Sequence, residues 1–292
     1  MFVGANVPFG MVQLGPTEPT RGWDWCSGYH YSDNEIIGFG HTHLSGTGIG
    51  DLGDIALLPV SDDKQASTIF SHDNETVKPG YYAVKLTNPG VNVELTATNR
   101  VGFHRYTFAE GQKQNLLAID LKQGIGWDAM TDCLLTQESP TRITGMRRSK
   151  GWSNDHRYYF DMEFSKPVTI VSRDTALTRT VIATEADGKP LLVKVALSPI
   201  DVMGAKANMK AELPGWDFDA TVTAADEAWD KQLARVTVET ADKEKKEVFY
   251  TAMYHFMIAP SVFCDANGDY RGADGRIHRA GYTTYSTFSL WD

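Results

Sequence analysis

The segment from His41 to Asp54 carries the side chains of this sequence that are best suited to chemistry. It reads His-Thr-His-Leu-Ser-Gly-Thr-Gly-Ile-Gly-Asp-Leu-Gly-Asp, which combines two imidazoles and several hydroxyl and carboxylate groups with four glycines. Glycine allows positive φ angles and lets other groups approach closely. The segment runs directly into the apolar stretch from Ile55 to Val60. This pattern is typical of a loop that forms a site next to a strand.

A metal site is one interpretation of the two histidines in this segment. His41 and His43 are two residues apart, so on an extended backbone both rings lie on one face. Asp51 or Asp54 is available as a third ligand. Zinc sites usually show further His or Cys ligands at regular spacing, which this segment lacks. We therefore expect hydrogen-bonded histidines that brace the loop. The alternative is a zinc enzyme that loses its metal in His43→Ala.

Three further patterns resemble known motifs but fail their structural requirements. The glycines of residues 48–53 match the dinucleotide fingerprint as a string, but a strand rather than a helix follows them. Ser71-His72-Asp73 is too local for a catalytic triad, whose members come from separate parts of a fold. Residues 265–269 resemble a calcium loop, but Tyr270 and Arg276 occupy the positions that need Gly and Glu. We expect a tight turn there.

Aromatic residues are concentrated in the irregular stretch from Pro16 to Asp33. The run from Trp23 to Tyr31 reads Trp-Asp-Trp-Cys-Ser-Gly-Tyr-His-Tyr. Some of these rings are expected to line a cleft, and the alternative is an ordered loop that its own rings hold in place. Aromatic residues make up 11% of the chain, which suits stacking on sugars but equally a β-rich core.

Composition excludes several classes of protein. The net charge of −9 and the absence of a basic stripe argue against nucleic-acid binding. The short cluster Arg147-Arg148-Ser149-Lys150 is predicted to be a solvated turn. No apolar run reaches the ~20 residues that span a bilayer, and no secretion signal is recognisable. The three cysteines are too far apart for a zinc motif or a disulfide framework, so we expect free thiols at Cys26, Cys133 and Cys264.

The hydrophobic pattern changes from period two to a helical period near residue 201. Short alternating runs separated by turn residues predict an antiparallel sandwich. Its strands are expected at residues 7–14, 55–60, 81–87, 91–98, 102–108, 116–121, 143–148, 158–164, 168–172 and 191–197. Apolar residues then recur at helical spacing and predict helices over 201–213, 223–236 and 244–258. The chain therefore passes from an all-β to an all-α part, with a boundary near 220.

Eight strings of the sequence are informative when they are taken together. They are VPFGMVQL (7–14), GFGHTHLSGTG (38–48), GDI (53–55), SHD (71–73), PGYY (79–82), ELTAT (94–98), HRYTF (104–108) and YSTFSLWD (285–292). These strings resemble glycoside hydrolase family 92, a family of exo-acting, calcium-dependent, inverting α-mannosidases. The resemblance is colinear over essentially the whole chain, and HTHLSGTG and YSTFSLWD are its most specific parts.

The resemblance implies a mainly β fold with a helical end. Residues 1–220 would form an antiparallel β-supersandwich similar to galactose mutarotase, residues 221–262 a helical linker, and residues 263–292 the start of an (α/α)6 catalytic barrel. The catalytic acid, the catalytic base and most contacts to Ca²⁺ would lie in the barrel beyond Asp292. No residue of this chain would then inherit a catalytic role.

The resemblance also implies contacts with a mannose-containing glycan. Asp292 would accept hydrogen bonds from the terminal mannose, and Trp291 would pack beside its ring. Trp25, or its neighbour Trp23, would touch the leaving-group sugar. Four residues would shape the site where sandwich and barrel meet, namely His41, His43, Ser45 and Asp51.

The function implied is that of the N-terminal part of an exo-α-mannosidase acting on mannosides or N-glycans, in the periplasm or outside the cell. We expect no membrane span and no activity from this chain without its barrel. The alternative is a stand-alone carbohydrate-binding module that uses Trp23, Trp25 and Tyr29.

Overall fold

The computed structural model describes residues 2–46 and 48–286. Within them the backbone is dominated by antiparallel strands. In chain order these are β1 (Gly15–Thr17), β2 (Glu35–Ile36), β3 (Gly38–Gly40), β4 (Ala56–Val60), β5 (Thr68–Lys78), β6 (Tyr81–Leu86), β7 (Asn92–Ala97), β8 (Val101–Thr107), β9 (Gln114–Asp120), β10 (Ala129–Ser139), β11 (Arg142–Lys150), β12 (His156–Phe164), β13 (Thr169–Arg173), β14 (Arg179–Glu185), β15 (Leu191–Ser198), β16 (Ser261–Val262), β17 (Asp269–Arg271), β18 (Ile277–Arg279) and β19 (Tyr285–Ser286).

Two large sheets enclose the main core. One has six strands in the order β1-β3-β4-β9-β14-β13, and the other has nine in the order β10-β11-β12-β15-β8-β7-β6-β5-β2. Side chains of both sheets, such as Ile119 and Val181 from the first and Tyr106 and Val193 from the second, form a single buried cluster. The predicted antiparallel β-sandwich is therefore confirmed.

Strand β8 shows how the pleat divides the residues between two cores. Successive side chains of a strand point to opposite faces. Tyr106 belongs to the cluster between the sheets, whereas Val101 and Phe103 belong to a second cluster with the first helices. This arrangement explains why both faces of the strand are buried.

In the part of the chain that the structure describes, three helices follow the sandwich: α1 (Val202–Glu212), α2 (Phe218–Leu233) and α3 (Lys243–Phe256). Each begins after an aspartate whose side chain accepts a hydrogen bond from a backbone N–H of the first turn, namely Asp201, Asp217 and Asp242. Such caps satisfy donors that the helix itself leaves unpaired. Helix α2 buries Trp229, whose indole Nε1 donates to the Asn6 carbonyl at 2.7 Å and ties the helix to the N-terminal segment.

Several predicted elements differ from the structure. Residues 7–14 form no strand, because Phe9 has a φ of 59° and the Gly10 amide closes a turn onto the Val7 carbonyl. Strands β5, β10 and β14 were not predicted. In β10 the side chains alternate between half-buried and exposed, so the hydrophobic signal is weak.

Helix α2 begins five residues before the predicted residue 223. The domain boundaries at 220 and 262 stay a prediction.

The cluster from Arg147 to Lys150 is the clearest error among the surface predictions. It forms the end of strand β11 rather than a solvated turn, and the Arg147 side chain is completely buried. The turn expected at residues 265–269 is confirmed by the hydrogen bond from the Gly268 amide to the Asp265 carbonyl. All three cysteines are free, as expected. Among the described residues, no helix is long and apolar enough to cross a bilayer.

Candidate functional site

His41 lies in a buried chain of hydrogen bonds between the two sheets. Its Nδ1 donates to the Ile55 carbonyl at 2.6 Å, which leaves Nε2 as an acceptor for the Nε2–H of His104 at 3.0 Å. The Tyr106 hydroxyl donates to Nδ1 of His104 at 2.8 Å. This directionality fixes both rings as neutral tautomers. Burial lowers the pKa of His41 to about 4 and that of His104 well below its usual value.

A glycine makes room for this histidine pair. A Cβ on Gly102 of β8 would lie 2.9 Å from Cδ2 of His41, closer than any side chain tolerates. The sequence therefore places a glycine on β8 opposite the buried imidazole.

His43 is also fully hydrogen-bonded. Its Nδ1 donates to the Gln13 carbonyl at 2.8 Å, and the Thr17 hydroxyl donates to Nε2 at 3.1 Å. Burial lowers its pKa to about 4. Since both nitrogens of His41 and His43 have partners, neither ring offers a lone pair to a zinc ion. Within residues 2–46 and 48–286, no group of three His, Cys, Asp or Glu side chains is arranged to hold a metal. The zinc alternative therefore has no support.

Asp54, at the end of the glycine-rich segment, anchors the segment to strand β11. It forms an ion pair with Arg147 at 2.5 Å, and both side chains are completely buried. Its other oxygen accepts from the Thr42 hydroxyl at 2.6 Å and from Nε2 of His156 at 2.8 Å. Arg147 also forms an ion pair with Asp128. Its guanidinium donates to the Leu121 carbonyl at 2.9 Å and to the Gln123 carbonyl at 2.8 Å.

The charges of this network stabilise each other. Burial by itself would raise the pKa of Asp54, but the positive charges of His156 and Arg147 hold it well below its usual range. Burial would likewise lower the pKa of Arg147, and the two carboxylates raise it instead. The pKa of His156 is raised, because Asp54 outweighs the effect of burial. Removing any one of these charges would leave another one buried without a partner, which is strongly destabilising. The network therefore holds Asp54, Asp128 and Arg147 in one arrangement.

Asp51 accepts hydrogen bonds from two backbone amides and so orients the neighbouring turn. Its Oδ1 accepts from the Leu52 amide at 2.8 Å, and its Oδ2 accepts from the Trp152 amide at 2.5 Å. Its side chain is buried, whereas Ser45 is half-buried. His41, His43 and Asp51 thus brace the segment through hydrogen bonds. Their role in shaping a sugar site stays a prediction.

The aromatic loop contains a short 3-10 helix over Trp23–Trp25. Trp25 is half-buried, stacks on His30 with ring centroids 4.2 Å apart, and donates its Nε1 to Asp33 at 3.2 Å. Trp23 and Tyr31 are 60% and 72% exposed, so only some rings of the loop serve as its core. Trp25 helps to hold the loop in place, and the expectation that other rings line a cleft stays a prediction.

Two acidic side chains accept hydrogen bonds from residues of the aromatic loop. The buried Glu18 accepts the His30 amide at 2.6 Å through one oxygen, while its other oxygen is buried without a hydrogen bond. Burial raises the pKa of Glu18 to about 8, with Asp33 and Glu75 adding to the effect. Glu75 accepts from the Tyr29 hydroxyl at 2.9 Å. Tyr29 is thus buried as part of this support.

The aromatic loop and the glycine-rich segment touch each other. The Ser27 hydroxyl donates to the Gly46 carbonyl at 2.8 Å. A Cβ on Gly50 would lie 2.9 Å from the Gly126 Cα and 3.6 Å from the Cys26 Cα. Three loops therefore meet at Gly50, and the absence of a side chain there permits the contact.

A pocket of about 130 Å³ is lined in part by the glycine-rich segment, through Thr42, His43 and Leu52. Its wall combines residues of the glycine-rich segment and of the β11–β12 turn with residues that follow the helices. The pocket therefore lies where the sandwich contacts the segment after α3. Its lining includes His43 but not Trp25. The residues are Met11, Gln13, Thr42, His43, Leu52, Ser153, Asp155, His156, Arg157, Tyr158, Pro199, Ser261, Phe263, Arg271 and Ser286.

Two predicted site residues, Trp291 and Asp292, lie outside the described residues. Conversely, sequence reasoning did not identify Glu18, Arg147 or His156, whose importance depends on contacts across the fold. Arg147 stands among polar residues in the sequence, so the local pattern gave no signal that its side chain is buried.

Comparisons with protein families match both parts of the chain. The model described as the glycosyl hydrolase family 92 N-terminal domain matches residues 1–198. The model described as the glycosyl hydrolase family 92 catalytic domain matches residues 204–292.

Two solved structures and one curated protein are similar to this chain. A family GH92 α-mannosidase from Bacteroides thetaiotaomicron is 34% identical, with a TM-score of 0.90 over 100% of this chain and 44% of that one. The family GH92 inverting mannosidase BT2199 from the same organism is 25% identical, with a TM-score of 0.81 over 97% of this chain and 40% of that one. An uncharacterized secreted glycosidase of Arthroderma benhamiae is 24% identical over 91% of this chain and 40% of its own length.

This chain spans less than half the length of each of these proteins. The two family domains follow each other along it in the order that the sandwich and the helices take in the structure. The chain belongs to glycosyl hydrolase family 92.

Proposed function

We propose that this chain is the N-terminal part of an inverting exo-α-mannosidase that removes terminal mannose from mannosides or N-glycans. The observation that carries the proposal is that the glycine-rich segment meets the aromatic loop at Gly50 and also lines a pocket that residues after the helices complete. The similar Bacteroides proteins are described as mannosidases, which supports mannose as the sugar.

On this proposal the sandwich supplies contacts and the barrel supplies catalysis. Trp25, backed by His30 and Asp33, presents its ring to the leaving-group sugar, with Trp23 as its neighbour. Trp291 and Asp292 contact the terminal mannose. The acid that protonates the leaving oxygen and the base that activates water lie beyond Asp292.

The family resemblance also brings Ca²⁺ into the proposal. The described residues offer no cluster of carboxylates and histidines for the ion. The resemblance implies that most of its ligands belong to the barrel beyond Asp292. A periplasmic or secreted location is in keeping with the relative described as secreted.

Mannose release from an aryl α-mannoside and from a mannobiose tests the proposal. The full-length protein should release mannose with inversion in a calcium-dependent reaction, and residues 1–292 alone should release none. Trp25→Ala should raise KM for the mannobiose about tenfold and change kcat little. The reason is that the lost stacking contact is made equally in the bound substrate and in the transition state. Calcium-dependent release of mannose by residues 1–292 would overturn the proposed division of labour.

A stand-alone carbohydrate-binding module is the second candidate. The exposed ring of Trp23 favours it, because that ring is available to a ligand without any further domain, whereas Tyr29, which the sequence also suggested for this role, is buried. Saturable binding of mannosides to residues 1–292, with no mannose release by the full-length protein, would support this candidate over the first.

A further inference from the structure

Trp127 lies on a turn that the rest of the fold holds firmly. Its amide donates to the Gly50 carbonyl at 2.8 Å, and the Ile125 amide donates to the Leu52 carbonyl at 2.9 Å. The next residue, Asp128, forms a buried ion pair with Arg147. The backbone of residues 125–128 is therefore fixed to the glycine-rich segment on one side and to strand β11 on the other.

The Trp127 side chain is nevertheless 58% exposed. Exposing a large aromatic ring leaves apolar surface in water, and the fixed backbone holds the base of the ring in one place. Trp23 shows the same combination, because it is 60% exposed and lies in a short 3-10 helix. Rings held in this way are preorganised for contact with another molecule, since binding orders few additional bonds.

The two tryptophans belong to loops that border each other. The Cα atoms of Cys26 and Gly126 both lie within 3.6 Å of the position that a Cβ on Gly50 would take. Trp23 is joined to Cys26 by the 3-10 turn, and Trp127 directly follows Gly126. The Gly126 amide also donates to the Thr20 hydroxyl at 3.3 Å. The rings therefore project from adjoining loops at one end of the sandwich.

The surroundings of these rings favour a sugar over a protein as the partner. Apart from Ala129, the exposed residues close in sequence to Trp23 and Trp127 are polar or glycine, and none is a large aliphatic residue. A stable protein interface needs a larger apolar centre. A pyranose ring offers a flat C–H face for stacking and hydroxyl groups for polar neighbours. The neighbours are Thr20, Arg21, Gly22, Asp24, Lys122 and Gly126.

We propose that Trp127 and Trp23 form an aromatic face that binds the sugars of an oligosaccharide beyond the leaving-group sugar next to Trp25. This inference rests on the proposed function for the identity of the glycan. The face extends the binding surface along the rim of the sandwich and makes the protein favour long or branched manno-oligosaccharides over disaccharides.

Two measurements on the full-length protein test the inference. In Trp127→Ala, kcat/KM for a long manno-oligosaccharide should fall about tenfold, while kcat/KM for an aryl α-mannoside should stay within about twofold of the wild type. Binding of a sulfur-linked manno-oligosaccharide, which resists hydrolysis, should weaken by the same factor in titration calorimetry. Trp127→Phe keeps a ring and should recover most of the affinity.

Trp216→Ala is the matched control. This tryptophan is 37% exposed and lies between α1 and α2, where it contacts Phe103 and Lys194 instead of a loop at Gly50. It should leave the dependence on oligosaccharide length unchanged.

The outcomes separate the inference from the proposed function. If Trp127→Ala binds the sulfur-linked ligand as the wild type does, the inference is wrong, whatever the hydrolytic activity. If the wild type hydrolyses no mannoside but loses oligosaccharide affinity in Trp127→Ala, the face is real and the proposed reaction is wrong. Equal losses on aryl mannoside and oligosaccharide would show that Trp127 packs against another part of the protein, and would also overturn the inference.

Discussion

Arg147 and Asp54 form an ion pair of 2.5 Å in which neither side chain is exposed to solvent. One residue lies on strand β11 and the other ends the glycine-rich segment, so the pair joins the nine-stranded sheet to the candidate site. The network around it is charged and almost completely hydrogen-bonded. Its main consequence is that the segment from His41 to Asp54 has one defined position.

Removal of Arg147 is expected to destabilise the fold strongly. Arg147→Met leaves the carboxylates of Asp54 and Asp128 buried without their counter-ion, which costs roughly 3–5 kcal/mol. Urea unfolding at neutral pH measures the loss. The adjacent Arg148→Met is the control, because Arg148 pairs with Asp155 at the surface and should cost less than about 1 kcal/mol. Similar losses for the two variants would contradict the structural role of the network.

The buried histidines are expected to make the fold sensitive to acid. The pKa values of His41 and His43 lie at about 4, and that of His104 is also lowered by burial. Between pH 6.5 and 4 the unfolded chain therefore binds protons that the folded chain refuses, so these groups lower the free energy of unfolding as the pH falls. His72 and His156 act in the opposite sense, because their raised pKa values add stability at low pH that is lost as the pH rises.

Imidazole NMR titration tests this assignment residue by residue. His41, His43 and His104 should stay neutral at pH 5, whereas His156 should hold its proton above the usual pKa of 6.5. Titration of His41 or His43 near pH 6.5 would show that the buried hydrogen-bonded chain is not formed.

Glu18→Gln is expected to stabilise the protein at alkaline pH. The folded pKa of Glu18 is raised from 4.5 to about 8, so its contribution to stability is present below pH 4.5 and is lost as the pH rises towards 8. The uncharged Gln avoids this loss. We expect Glu18→Gln to be roughly 1–3 kcal/mol more stable than the wild type at pH 8 and similar to it at pH 4. Unfolding curves at both pH values give the comparison.

Glu35→Gln serves as the control for Glu18→Gln. Glu35 is only partly buried and pairs with Arg21 at the surface, so its replacement should change stability little at either pH. A stabilisation of Glu35→Gln equal to that of Glu18→Gln would point to overall charge as the cause.

Asp33 is expected to position Trp25 for the leaving-group sugar. Its carboxylate accepts from the Trp25 indole at 3.2 Å and from Arg21 at 2.6 Å. In the full-length protein, Asp33→Asn should raise KM for a mannobiose roughly threefold to tenfold and leave kcat nearly unchanged, because a looser ring binds substrate less well. Asp24→Asn alters an exposed acid of the same loop and should leave KM as it is. A fall in kcat without a rise in KM would contradict a role in positioning.

The sequence by itself determined the order of the two fold types. Strand patterns such as 91–98 and 191–197 recur as β7 and β15, because alternation of apolar residues matches the pleat. The aspartate before α1 marks the helix start, because its carboxylate caps the first turn. The strings around His41 and the C-terminus were specific enough to identify the family.

Only the tertiary structure decided what the polar residues of the candidate site do. Arg147 looks like part of a solvated turn in the sequence, yet strand pairing carries it into the interior beside Asp54. His41 and His43 have a spacing that suits a metal, yet their partners His104 and Gln13 come from other parts of the chain. Such contacts depend on which strands become neighbours, and the local pattern of one strand does not contain that information.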